Sequence, residues 1–113
     1  MKVCIIGSRS LKNYELLKER CDYFLSNSYG YTIISGGAAG TDKLAERYAA
    51  ERKLPMDIYR ADWQTHGRKA GMMRNIEMLN ACTHVIAFWD GKSPGTANMI
   101  EVAKYKFLKV VRF

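Results

Sequence analysis

Ile33 to Asp42, reading Ile-Ile-Ser-Gly-Gly-Ala-Ala-Gly-Thr-Asp, constrains this chain more than any other stretch. Tyr31 to Ile34 has the apolar, β-branched character of a short buried strand, and Leu44 to Ala50 the pattern of a helix. Ser35 to Gly40 must therefore turn the chain between them. A strand–turn–helix junction aims free backbone N–H groups and the positive end of a helix dipole at one place. Gly36, Gly37 and Gly40 allow positive φ and let a ligand approach without meeting a Cβ. These are the elements of an anion site, most often one for phosphate.

The same grammar recurs along the chain. Val3 to Ile6 is an uninterrupted apolar run, as expected of a strand buried on both faces, and Gly7-Ser8-Arg9 follows it. Asn13 is predicted to cap a helix to about Ser26, with Leu17, Cys21, Phe24 and Leu25 on its apolar face and Ser28-Tyr29-Gly30 ending it. Thr41 is predicted to cap a second helix, with Leu44, Ala45, Tyr48 and Ala49 inward, that stops before Leu54-Pro55. Met56 to Tyr59 reads as a third strand and Arg60 to Gly67 as a polar loop. Arg68 to Ala81 reads as a helix with Met72, Ile76 and Leu79 at helical spacing. His84 to Trp89 is the fourth strand, Asp90 to Thr96 a turn of small residues, and a fourth helix runs to about Phe107. Lys109 to Arg112 makes the last strand.

Five strands alternating with four helices predict an α/β fold. It is a single Rossmann-like, doubly wound domain over residues 1–113, with a mainly parallel sheet of order 3-2-1-4-5 and helices on both faces. Ligands in such sheets bind beyond the strands' carboxyl ends, where strand order reverses. Three turns bound that point: Gly7-Ser8-Arg9, Ser35 to Thr41, and Trp89 to Thr96. The amides of Gly36, Gly37 and Gly40 with the Thr41 hydroxyl are expected to hold one phosphate. Ser93, Gly95 and Thr96 are expected at a second phosphate or a ribose, and Arg9 is placed to pair with either. Asp62-Trp63 and Trp89-Asp90 each join an indole, which stacks on a base, to a carboxylate, which accepts from ribose hydroxyls. Arg74 and Glu77 share a helix face at i, i+3, the spacing of a solvated salt pair.

Composition narrows the partners. Eighteen Lys and Arg against eleven Asp and Glu give a net charge of +7, which favours a nucleotide, a nucleic acid or a polyphosphate. No apolar run is long enough to span a membrane, and the N-terminal run is too short for a secretory signal. Cys4, Cys21 and Cys82 lack metal-ligand spacing and are expected as buried thiols in a reducing cytoplasm; no metal site and no obligatory cofactor are expected.

Taken together, Gly7-Ser8-Arg9, Ser35 to Asp42, Ala61-Asp62-Trp63, Gly71-x-x-Arg74-Asn75-x-x-Met78 and Ala87 to Thr96 resemble the YspA-like family of the SLOG superfamily. The resemblance covers essentially the whole chain. It implies a nucleotide-derived ligand such as an ADP-ribose-like molecule or a mononucleotide, held by Gly7, Ser8, Arg9, Ser35, Gly36, Gly37, Ala38, Gly40, Thr41, Asp42, Asp62, Trp63, Asn75, Trp89, Ser93, Gly95 and Thr96. The superfamily includes LOG-type enzymes, similar to lysine-decarboxylase-like proteins, which cleave the N-glycosidic bond of nucleotides. By that analogy Arg74, Asp90 and Glu77 are candidate catalytic residues. Met99, however, stands at the signature's glutamate and Asn75 at its lysine, and methionine can neither stabilise an oxocarbenium-like sugar nor position water. The DprA proteins of the same superfamily bind single-stranded DNA, which makes nucleic acid the third expectation. LOG-type relatives are dimers, and Tyr105 or Phe107 would suit a homodimer interface.

Overall fold

The computed structural model describes residues 1–26 and 29–113. Five parallel strands, β1 (Lys2–Gly7), β2 (Thr32–Ser35), β3 (Met56–Ile58), β4 (His84–Trp89) and β5 (Phe107–Arg112), form one sheet of order β3-β2-β1-β4-β5, as the pattern predicts. The central strands β1 and β4 pair from Val3–His84 to Gly7–Phe88, and their apolar runs are buried on both faces.

Helices α1 (Tyr14–Leu25) and α2 (Thr41–Glu51) carry one core, in which Leu17, Cys21, Ile33, Tyr48 and Phe88 are buried. Further along the chain come α3 (Trp63–His66), α4 (Ala70–Ala81) and α5 (Pro94–Ala103). Met78 and Leu79 of α4, with Met99 and Ala103 of α5, close a second core with Cys4, Ile34 and Val85. All three cysteines are buried free thiols. No described helix is long and apolar enough to cross a membrane.

Several boundaries depart from expectation. Asn13 caps α1 as predicted, its side chain accepting from the Leu16 amide. The expected stop at Ser28 lies outside the described residues. Gly40, not Thr41, is the N-cap of α2, because the Thr41 hydroxyl is turned inward to the Ser8 carbonyl. Helix begins in the predicted polar loop, at Trp63, because the Asp62 carboxylate accepts from the Thr65 amide. The last helix ends at Ala103, and the chain from Phe107 pairs with β4, so β5 starts two residues before the predicted Lys109. In α4, Met72 and Ile76 are exposed, where the 3.6 spacing placed them inside. The face carrying Arg74, Asn75 and Met78 turns toward the sheet instead.

Asp22 ties α1 to α2 by accepting from the Arg52 guanidinium (2.6 and 3.0 Å) and from the buried Tyr48 hydroxyl (2.7 Å). The Arg52 bond, then the Tyr48 hydroxyl, hold its carboxyl below the usual 3.8 against the cost of desolvation. Asp22→Ala leaves that hydroxyl without its partner and is expected to cost about 1–3 kcal/mol in chemical denaturation. A carboxyl with a depressed folded pKa stabilises fully above its unfolded pKa and ceases to as pH falls through the folded one. The gap between wild type and Asp22→Ala should therefore be constant from neutrality to about pH 5 and close below the ordinary aspartate range; a pH-independent gap would remove the carboxylate from the account.

Candidate functional site

The three turns meet. The Ser8 amide donates to the Phe88 carbonyl (2.8 Å), and the Ser8 hydroxyl accepts from the Asp90 amide (3.2 Å), joining the ends of β1 and β4. The Ser8 carbonyl accepts from the buried Thr41 hydroxyl (2.8 Å), joining β1 to the turn before α2. Gly40, at φ +73°, lies directly on the Arg9 backbone, where a side chain would collide with the Arg9 carbonyl. Contacts between residues 33 and 82 positions apart thus fix the junction that strand order alone only implied.

Above this junction lies a crevice of about 480 Å³ at the carboxyl edge, between β1 and β4 where strand order reverses. Gly7 to Ser10, Ala38, Ala39 and Asp42, Ser93, Gly95 and Thr96, and Arg74 and Asn75 of α4 line it. Ile6, Met78 and Met99 supply an apolar floor. Arg9, Ala38, Ala39 and Arg74 also line a second, adjoining cleft of about 310 Å³.

Arg74 spans both spaces. Its Nη1 donates to the Gly36 carbonyl (2.5 Å) and, more distantly, to that of Tyr59 (3.5 Å), and its Nε to Asn75 Oδ1 (2.8 Å). Nη2 has no acceptor among the described residues. None of the five ion pairs among the described residues uses Arg9, Arg60 or Arg74.

Asp42 is the carboxylate lining the crevice, with Oδ2 on the Ala38 amide (3.1 Å). Burial raises its pKa, only partly offset by that amide and by Arg74. The turn's amides are thus partly engaged by an anion of the chain's own. Those of Gly36, Gly37 and Ala39 meet no acceptor among the described residues.

Other expected site residues take different positions. Thr41 and Ser35 are fully buried and bond to the Ser8 and Asp42 carbonyls, so the Thr41 hydroxyl is not available to a phosphate. Gly36 and Gly37 line the second cleft, and Gly40 lines neither. Asp62 is spent on capping α3 and lies outside both spaces; its pKa is lowered by the Thr65 side chain and amide. Asp90 accepts from the Lys92 and Ser93 amides and the Ser10 and Ser93 hydroxyls; the Ser93 amide above all holds its pKa far below the usual range. A carboxylate so engaged organises the turn and is no proton donor near neutrality. Glu77 is exposed and makes no pair with Arg74. Trp89 donates its indole N–H to the Ser93 carbonyl with Arg112 over its ring, away from the crevice. Trp63 is 56% exposed and lines the second cleft.

Arg60 was missed by sequence reasoning, although an arginine just past a strand's carboxyl end is itself a signal. Of the floor residues, Met78 and Met99 stand at positions of the family motifs, whereas Ile6 carried no signal beyond an apolar pattern.

A family model described as the YspA, cpYpsA-related SLOG family matches residues 1–66. The chain is 35% identical over 119 residues to the Gene 61 protein of Mycobacterium phage D29, covering 99% of this chain and 95% of the phage protein. Among solved structures it is similar, at 21% identity and a TM-score of 0.68, to DNA processing protein A from Helicobacter pylori, a structure described by its single-stranded DNA binding mode. That match covers 97% of this chain and 64% of the other, and at this identity it concerns the fold.

Proposed function

We propose, starting from the fact that this chain belongs to the YspA, cpYpsA-related SLOG family, that it binds single-stranded nucleic acid through the crevice at the carboxyl edge of its sheet. The observation that carries this reading is the adjacency of two arginine-lined spaces. The crevice adjoins a second cleft that shares Arg9, Ala38, Ala39 and Arg74 with it, so two cationic spaces lie side by side along the path a strand would take. A phosphodiester on Arg9 and the free Nη2 of Arg74 would leave sugar and base over Ile6, Met78 and Met99. The net charge of +7 supports association with such a polyanion, and the fold shared with a protein described as binding single-stranded DNA agrees with it.

The volume of the first crevice, about 480 Å³, favours a second reading, a nucleotide-derived small molecule such as an ADP-ribose-like ligand or a mononucleotide. Hydrolysis is not proposed: Asp90 is saturated, Glu77 is outside, and Met99 brings no carboxylate to the floor.

Fluorescence anisotropy with a labelled oligothymidylate separates these. The strand reading expects binding whose logarithm falls with the logarithm of salt, at roughly −0.7 for each phosphate contacted, so about −1.5 to −2 for two or three. Competition by mononucleotide or ADP-ribose at equal concentration would instead favour the small molecule. Absent or salt-insensitive oligonucleotide binding overturns the strand.

A further inference from the structure

The second cleft has a composition of its own. It is lined by Gly36, Gly37, Arg9, Arg60, Arg74 and Trp63, and no carboxylate lies among its lining residues. Arg9 and Arg60 are exposed and make no hydrogen bond or ion pair among the described residues. A tryptophan 56% exposed at a cleft, on a four-residue helix otherwise held by its cap, is an unusual use of the largest side chain.

Two glycines set these groups in place. At Gly71 on α4, the position a Cβ would take is 3.3 Å from Trp63 Cη2, so the missing side chain lets the indole edge lie against the helix. At Gly37, with φ +73°, the position a Cβ would take is 3.0 Å from Arg60 Nη1, so the guanidinium lies against the turn in which the Gly36, Gly37 and Ala39 amides meet no acceptor among the described residues. An indole and two unpaired guanidinium groups bordering one cleft match the two halves of a nucleotide, a π-face and a phosphate.

We infer that this cleft is a second nucleotide subsite, in which the base next to the one over the first crevice stacks on Trp63 and its phosphate pairs with Arg60 and Arg9. The inference rests on the strand reading and adds to it the size of the recognised unit, two successive nucleotides. Stacking on an indole tolerates every base, so the subsite selects for a single strand, whose bases are free, without selecting sequence.

The test uses 5′-phosphorylated thymidine mono-, di- and tetranucleotides, followed by intrinsic tryptophan fluorescence and calorimetry on the full chain. The dinucleotide should bind about tenfold or more tightly than the mononucleotide and quench a signal absent from Trp63→Phe. Trp63→Ala should erase that step, Trp63→Phe should keep part of it, and Arg60→Gln should lessen the salt dependence. Trp63 is exposed, so melting temperatures should not move; if Trp63→Ala does unfold the chain, the Trp63→Phe quenching difference and Arg60→Gln carry the test. A dinucleotide step of wild-type size in Trp63→Ala, with Arg74→Ala still lowering affinity about 100-fold, overturns this subsite and leaves the strand reading standing. Equal affinity for mono- and dinucleotide also overturns it. Failure of the wild type to bind any of the three overturns both. An acidic peptide binding as tightly as the tetranucleotide, with no Trp63 signal, would assign the cleft to another partner and overturn it too.

Discussion

Arg74→Ala is expected to lower oligonucleotide affinity about 100-fold. Arg74 reaches both spaces, and its Nη2 is unspent while Nη1 and Nε are held by Gly36, Tyr59 and Asn75. A guanidinium fixed in this way loses little side-chain freedom on meeting an anion. The charge-assisted hydrogen bond lost with Nη2 is worth about 1.5–3 kcal/mol, and 100-fold, about 2.7 kcal/mol, lies within that range. Part of the effect is structural, because the buried Gly36 carbonyl loses its donor. Arg74→Lys separates the two: it keeps the charge and gives up the fork, and should recover only part of the affinity. Calorimetry on the three proteins, each checked by its melting curve, decides the matter. Wild-type affinity in a folded Arg74→Ala would move the anion elsewhere.

Asp42→Asn should act in the opposite direction and strengthen binding about tenfold at neutral pH. The carboxylate lines the crevice and engages the Ala38 amide, so an incoming phosphate meets a like charge. At about 5–10 Å and an effective dielectric of about 20 such a repulsion is about 2–3 kcal/mol before screening by salt, which leaves about tenfold. Burial first, and Glu46 in lesser degree, raise the Asp42 pKa, while the Ala38 amide, Arg74 and Arg9 oppose the rise. Folding therefore disfavours the ionised form. That penalty is absent below the unfolded pKa and present above the folded one, so Asp42→Asn is expected to be no less stable at neutrality. Protonation relieves the repulsion, and wild-type affinity should rise as pH falls from 7 through a value above the ordinary 3.8. A phosphodiester keeps its charge throughout. Every other group is common to wild type and Asp42→Asn, so the difference between the two profiles belongs to Asp42. Parallel profiles would exclude the carboxylate from the site.

Both predictions depend on positions that the sequence supplied unevenly. The runs Val3 to Ile6 and His84 to Trp89, each followed by a turn of small residues, foretold the central parallel strands and the edge where a site would form. Arg9, Arg74, Ser93, Gly95 and Thr96 were named from sequence and line the crevice. Asn13 was recognised as a cap because capping is a local hydrogen bond, decided within three residues. Thr41 was misjudged for the converse reason. Its hydroxyl bonds to a carbonyl 33 residues away, and no local pattern carries that distance.

The helical spacing of Met72, Ile76 and Leu79 is a property of the chain, but which face of α4 meets the sheet is decided by what already lies there. The carbonyls of Gly36 and Tyr59 draw Arg74 inward, and Met72 and Ile76 are left outside. Asp62, Asp90 and Trp89 had side chains suited to a ligand, yet neighbouring amides, hydroxyls and a carbonyl satisfied them first. The sequence by itself determined the alternation of strands and helices, because burial period and turn chemistry are local, and through the rules of right-handed crossovers the strand order and the edge at which the turns gather. Which polar groups remain unsatisfied at that edge was decided only by the tertiary structure, because hydrogen-bond partners are chosen among groups that folding brings together.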